Sequence, residues 1–134
     1  MGAGQIAARR VMTLAGFAPL ITVIAPEIAD ELKSLAEEGR IRILERCFVE
    51  SDLDGAGLVL AATDDRELNS RIAALCRMRL IPVNNAGDRT ECDFFFPGVV
   101  RKDNVVVGVT ASGLDHSKAR EITGKIRKLL EEEM

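Results

Sequence analysis

Apolar positions along this chain fall into two kinds of spacing. Leu20 to Ala25 (LITVIA) and Gly57 to Ala61 (GLVLA) are short runs with almost no polar residue, the mark of strands buried on both faces. Elsewhere the apolar positions recur at helical intervals. Residues 4–15 carry Ile6, Val11 and Leu14 with small residues between them, which predicts a helix. Pro26 sits where a first helical turn tolerates proline, Ile28, Leu32, Leu35 and Ala36 follow at helical spacing, and Gly39 supplies a C-terminal cap. Ile41–Leu44 and Ile81–Asn84 read as two further strands. Asp64 with Glu67 predicts a capping pair ahead of a helix that carries Leu68, Ile72 and Leu75. Strands alternating with helices in this way predict a Rossmann-like α/β fold with a parallel sheet.

From Phe94 onward the pattern changes. Phe94–Val100 and Val105–Thr110 are β runs joined by Arg101-Lys102-Asp103-Asn104, a hairpin with a polar turn. A last helix follows, with Asp115 as N-cap, Leu114 placed to pack on Ala119 as a hydrophobic staple, and Ile122, Ile126, Leu129 and Leu130 on its apolar face. The expected division is therefore a nucleotide-binding region over 1–93 and a hairpin-plus-helix region over 94–134. Glu131-Glu132-Glu133 lie at the negative end of that helix, where fraying is expected.

Composition narrows the reading without redirecting it. The 134 residues are 47% hydrophobic and 29% charged with a net charge of −3, an ordinary globular balance. A slightly acidic chain with no Trp or Tyr offers neither the basic face nor the stacking platforms of a nucleic-acid binder. No apolar run reaches membrane-spanning length, and no signal peptide is evident. Cys47, Cys76 and Cys92 are odd in number and widely spaced, so reduced thiols in a cytoplasmic protein are the simplest account and no metal site is expected.

Chemistry enters at the first residues. Gly2-Ala3-Gly4-Gln5-Ile6-Ala7 has the G-x-G-x-x-G/A spacing of a dinucleotide-binding turn. The first glycine makes the turn, the second lets backbone approach phosphate, and the small third residue lets the helix pack closely on the sheet. Glu27, a little over 20 residues beyond the turn, has two readings: a ribose-binding acid, or an acidic residue favoured by a helix dipole. Thr63, Asp64 and Asp65 end a buried strand, where open α/β sheets bind ligands, and they are also capping chemistry. Arg9 and Arg10 suit either phosphate or a solvated helix face. His116, the single imidazole, is either a proton carrier or iron ligand, or an exposed polar residue in a first helical turn.

Over nearly its whole length the chain resembles the N-terminal NAD-binding part of the siroheme synthase family, which comprises precorrin-2 dehydrogenases and sirohydrochlorin ferrochelatases. The resemblance rests on an ordered set of motifs. These are GAGQIAARR, TVIAPE at 22–27, DLDGAGLVLAATDD at 52–65, ELN at 67–69, VNN at 83–85, CDFFFP at 92–97 and VTASG at 109–113. It implies NAD-dependent oxidation of precorrin-2 to sirohydrochlorin, in some members followed by iron insertion, and a homodimer formed through the hairpin region. By the same resemblance Gly2, Ala3, Gly4, Gln5 and Ile6 face the pyrophosphate of NAD, Pro26 and Glu27 lie near the adenosine ribose, and Thr63 and Asn84 lie near the nicotinamide. Glu27 at the ribose favours NAD over NADP. A non-catalytic NAD-binding regulatory module and a bifunctional dehydrogenase/ferrochelatase are the alternatives.

Three departures from the family shape further expectations. The family carries an Asp three residues after the Asn of its VN motif; here Gly87 holds that position and Asp88 adjoins it, so Asp88 becomes the candidate for proton transfer, with an ordinary turn residue as its other reading. The longer C-terminal helical region is absent, and with one His and scattered Cys, iron chelation is expected to be weak. Finally, no strand precedes the glycine turn. In a sheet of order 3-2-1-4-5 that strand lies between LITVIA and GLVLA, and its four or so large side chains, at roughly 1.5–3 kcal/mol each, amount to about 6–12 kcal/mol of burial. Further β-rich sequence is therefore expected upstream of Met1. A chain starting there is expected to be poorly soluble, to pair the two flanking strands directly, or to borrow a strand from a neighbour.

Overall fold

The computed structural model describes residues 1–133, which fall into two compact units divided between Phe94 and Phe95. In the first unit α1 (Gln5–Leu14) is followed by β1 (Thr22–Ile24), α2 (Asp30–Glu37), β2 (Arg42–Leu44), β3 (Val59–Ala61), α3 (Arg66–Met78) and β4 (Val83–Asn85). Each helix between two strands serves as the crossover that parallel pairing requires. β1 pairs with β2 in parallel, Val23 opposite Ile43, and β3 pairs with β4 in parallel, Leu60 opposite Asn84. These are two separate two-stranded sheets: β1 and β3 are not bonded to each other. Direct pairing of LITVIA with GLVLA, one of the outcomes expected from the sequence, does not occur.

The hydrophobic core is divided in the same way. Ala8 and Val11 of α1, Val23 of β1 and Leu32 and Leu35 of α2 form one cluster. Val59, Ala61, Ile72, Ala73, Cys76 and Val83 form a second, on α3, β3 and β4. The first three residues join the halves: Ala3 belongs to the first cluster, whereas Met1 packs against the second.

Several element boundaries differ from the sequence expectation, each for a local reason. The strands are only three residues long, because the ladder extends no further than the partner, and Leu20 is 92% exposed rather than buried. α2 begins at Asp30 instead of near Pro26: Pro26 and Glu27 form a bend, and the Ala29 N–H donates to the carbonyl of Ala3 at 3.0 Å, which leaves Ala29 extended as the N-cap. α3 is capped by Asp65 and not by Asp64; the Asp65 carboxylate accepts from the N–H groups of Glu67 and Leu68. The end of α2 is as expected, with Gly39 left-handed (φ +73) and the Arg40 N–H donating to the Leu35 carbonyl, the six-to-one bond of a Schellman motif.

In the second unit β5 (Gly98–Lys102) and β6 (Val105–Val109) form the expected antiparallel hairpin, followed by α4 (His116–Glu133). β5 starts at Gly98 and not at Phe94, since Pro97 has no N–H to offer a ladder. The turn is tight, with Asp103 left-handed at φ 51. Asp115 caps α4 by accepting from the Lys118 N–H at 2.8 Å, but Leu114 remains 66% exposed and closes no staple. β5 and α4 pack intimately: a Cβ built on Gly98 would lie 2.2 Å from the Thr123 hydroxyl.

Candidate functional site

The carboxyl ends of β1, β3 and β4 and the glycine turn converge at one edge of the first unit, where open parallel sheets hold their ligands. Gly2 is the point of convergence. Its N–H donates to the carbonyl of Ile24 at the end of β1, and a Cβ on it would lie 2.2 Å from the Ala62 carbonyl oxygen beyond β3. With φ +91 as well, position 2 admits only glycine. Ala3 is buried and its carbonyl holds the chain ahead of α2. Ala7 is 3% exposed, small enough for α1 to lie close to the strands.

Gly4 differs from Gly2 in kind. It is the N-cap of α1, exposed, and a Cβ on it would meet nothing within 4 Å. No side chain caps this helix, and no acidic residue lies in its first turn. The N–H groups that open α1, at Gln5 and Ile6, therefore face outward on exposed residues with the positive end of the helix dipole behind them. That is the elementary construction of an anion site.

The remaining predicted residues are distributed around this turn. Pro26 and Glu27 are exposed on the bend that follows β1. Thr63 follows β3 and is held by Asn69 of α3: the Asn69 side-chain oxygen accepts from both the N–H (3.0 Å) and the hydroxyl (2.7 Å) of Thr63, and its amide nitrogen donates to the Thr63 carbonyl. Asn84 is buried in β4. Its side-chain oxygen accepts from the guanidinium of Arg10 and its nitrogen donates to the Phe94 carbonyl, so both ends of the amide are engaged within the protein.

Asp88 lies in the turn after β4. Its carboxylate accepts from the Thr90 hydroxyl at 2.6 Å and the Thr90 N–H at 2.9 Å, and the hydroxyl chiefly, then the amide, holds it below the usual carboxylate range. The structure thus brings the glycine turn against β1 and β3, and the β4 turn against α3, where a Cβ on Gly87 would lie 3.5 Å from the Asn69 amide nitrogen. The Asp88 carboxylate itself is committed to its own turn.

Two residues at this edge were read differently in the sequence. Arg10, assigned there to phosphate or to a solvated face, is half-buried against Asn84, and burial pushes its guanidinium down. Asn69, quoted only within ELN, is almost fully buried and fixes Thr63. Its signal was present: Asn69, Ile72, Ala73 and Cys76 form one i, i+3, i+4, i+7 stripe, and a lone amide on such a stripe requires internal partners. Cys92 adds a sulfur beneath the same edge, accepting from the Asn85 N–H, and burial raises its thiol pKa. Among the described residues no group of His, Cys, Asp or Glu is placed to hold a metal ion, and no helix is long and apolar enough to cross a membrane.

Residues 1–98 match the profile of a family described as NAD(P)-binding. Among curated proteins, the siroheme synthase of Pseudomonas entomophila (strain L48) is 39% identical over 94% of this chain and 27% of its own length. The siroheme synthases of Methylobacillus flagellatus and Photorhabdus laumondii are 37% and 35% identical over 97% of this chain and 28% of theirs. The chain spans just over a quarter of the length of these relatives. Among solved structures, SirC, a precorrin-2 dehydrogenase, aligns with a TM-score of 0.69 over 99% of this chain and 63% of its own, at 22% identity, a likeness of fold. By its profile, its relatives and its fold, the chain belongs to the NAD(P)-binding family that forms the N-terminal domain of siroheme synthases.

Proposed function

We propose that this chain binds NAD at the glycine turn and serves the oxidation of precorrin-2 to sirohydrochlorin. The observation that carries the reading is the contrast between the two glycines: packing demands Gly2, whereas nothing in the protein demands Gly4 except an approaching ligand in front of an uncapped helix N-terminus. In this reading Gly2, Ala3, Gly4, Gln5 and Ile6 hold the pyrophosphate, Pro26 and Glu27 flank the adenosine ribose, and Thr63 and Asn84 lie near the nicotinamide. When bound, the cofactor supplies the hydride acceptor; the protein's share is orientation. Asn69 and Arg10 contribute by fixing Thr63 and Asn84. Glu27 selects the 2′-hydroxyl of NAD over the 2′-phosphate of NADP, and calorimetric titration with both cofactors tests that choice. Asp88 is the proton acceptor.

The siroheme synthase relatives and the precorrin-2 dehydrogenase neighbour support the tetrapyrrole as substrate. A homodimer through the second unit belongs to the same reading, since Val105, Val106 and Leu129 are each about half exposed there. A monomer by light scattering at micromolar concentration would count against it.

A second reading, an NAD-binding module without turnover, is favoured by one observation: the carboxylate nearest the family's acidic position is held by Thr90. Incubation with NAD and precorrin-2, followed by sirohydrochlorin absorbance, separates the two. Turnover by the wild-type chain supports the dehydrogenase. NAD binding without turnover, with activity gained in Gly87→Asp, supports the module; the space at position 87 admits the added Cβ at ordinary contact distances.

A further inference from the structure

Along α3 the residues Arg66, Ser70 and Arg77 recur at intervals of four and seven, so they stand on one face of the helix. That face meets the turn after β4. The Ser70 hydroxyl donates to the Glu91 carboxylate at 2.8 Å, and Arg77 pairs with the same carboxylate at 3.9 Å. Arg66 lies one helical turn before Ser70, at the end of the row nearest the carboxyl ends of β3 and β4. A Cβ on Gly87 would lie 4.0 Å from the Arg66 Cγ, so the stem of this arginine passes beside the position that has no side chain.

The carboxylates nearby are engaged elsewhere. Asp65 caps α3, Glu91 is held by Ser70 and Arg77, and Asp88 is held by Thr90. Asp64 and Glu67 are exposed, and among the described residues neither forms an ion pair or hydrogen bond with the Arg66 guanidinium. Asp88 feels that charge without bonding it: after the two bonds from Thr90, the guanidinium also helps to hold the carboxylate low. Arg66 is moreover the first residue of α3, where the positive end of the helix dipole disfavours a cation. Neither pairing within the protein nor helix electrostatics accounts for an exposed guanidinium at this place. An anionic ligand at the edge of the sheet does.

We propose that Arg66 is a substrate-binding residue that takes a ring carboxylate of the tetrapyrrole, a proposal that rests on the reading of this chain as a precorrin-2 dehydrogenase. Precorrin-2 and sirohydrochlorin carry acetate and propionate groups around the macrocycle, and a guanidinium offers parallel N–H donors that match a carboxylate. The contact seats the rim of the macrocycle at the β4 turn, next to Asp88. Arg66 then sets affinity and takes no part in hydride or proton transfer, so its loss appears in KM and not in kcat.

The test is absorbance titration of the full 134-residue chain with sirohydrochlorin, in the wild type and in Arg66→Gln, Arg66→Lys and Arg66→Glu. The expected result is a Kd raised about three- to tenfold in Arg66→Gln, raised further in Arg66→Glu and partly restored in Arg66→Lys. In turnover of precorrin-2, KM rises by the same factor in Arg66→Gln while kcat stays within about twofold of the wild type. NAD affinity is expected to be unchanged. Arg77→Gln, on the same helix face but paired with Glu91, is expected to bind sirohydrochlorin as the wild type does. Binding unchanged in Arg66→Gln, binding equally weakened in Arg77→Gln, or a fall in kcat with KM unchanged would each overturn the proposal and leave the dehydrogenase reading standing. So would a loss of NAD affinity in Arg66→Gln, since the anion at Arg66 would then be a cofactor phosphate. A wild-type chain that neither binds sirohydrochlorin nor turns over precorrin-2 would overturn both.

Discussion

At position 2 a side chain has nowhere to go, and at position 4 it has nothing to meet. Gly2→Ala places a Cβ within 2.2 Å of backbone that cannot swing aside, on a residue with φ +91, so a loss of stability above about 2 kcal/mol is expected. Gly4→Ala changes an exposed N-cap with ordinary dihedrals and is expected to cost less than about 1 kcal/mol, while weakening NAD binding by blocking phosphate approach. Denaturant midpoints and calorimetry on the two variants check both halves; unchanged NAD affinity in a folded Gly4→Ala chain would remove the main support for the glycine-turn site. At Asp88 the expectation concerns pH. Its depressed pKa means that the ionised form stabilises the fold fully above the ordinary carboxylate value of about 3.9, and that this contribution fades as pH falls through the lower folded value. Thr90→Val removes the largest cause, the hydroxyl, and keeps the amide, so the Asp88 pKa should rise toward the ordinary range in an NMR titration. If Asp88 accepts the substrate proton, the acid limb of the pH–rate profile should rise with it.

Among the elements, α3 shows how a helix fixes a loop that it does not contain. Asn69 makes three hydrogen bonds to Thr63 across the β3–α3 connection, two of them to Thr63 backbone groups. Asn69→Ala leaves those groups without their partner in a partly enclosed place, and a loss of about 2–3 kcal/mol is expected, with exchange at the Thr63 amide rising more than at α3 residues nearer its C-terminus. A uniform rise along α3 would instead mean that Asn69 serves only the packing of its helix. The same element shows what a single sequence makes legible. The type and order of every α-helix and strand followed from the sequence pattern, because a long apolar stripe or a dense apolar run encodes which face is buried, whereas the 3-10 turns at Glu50–Leu53 and Arg89–Glu91 did not. The ends set by a local cap followed too, as at Gly39 and Asp115, but others depend on bonds the pattern does not encode: Ala29 is pulled extended by Ala3, Asp65 takes the cap from Asp64, and Pro97 delays β5. At the site, the glycine turn was legible from local spacing alone. The partnership of Arg10 with Asn84, 74 residues apart, was not, because it exists only once the fold brings those two residues together.

Across the first unit, two residues hold the halves together: Gly2 is bonded to β1 through Ile24, and Met1 is bonded to β3 through Leu60 and Ala62. The turn that opens α1 is therefore tied to both small sheets, although the sheets are not bonded to each other. A ligand that binds only the folded turn must also stabilise these bonds, by mass action. Saturation with NAD is accordingly expected to slow hydrogen exchange at the Gly2 and Ala62 amides more than at amides near the C-terminus of α3, which lies away from the turn. Exchange measured residue by residue with and without NAD checks this. Slowing confined to the β4 turn would move the cofactor away from the glycine turn. Slowing at both Gly2 and Ala62 would mean that cofactor binding draws on β1 and β3 together, through the two residues that bond to them.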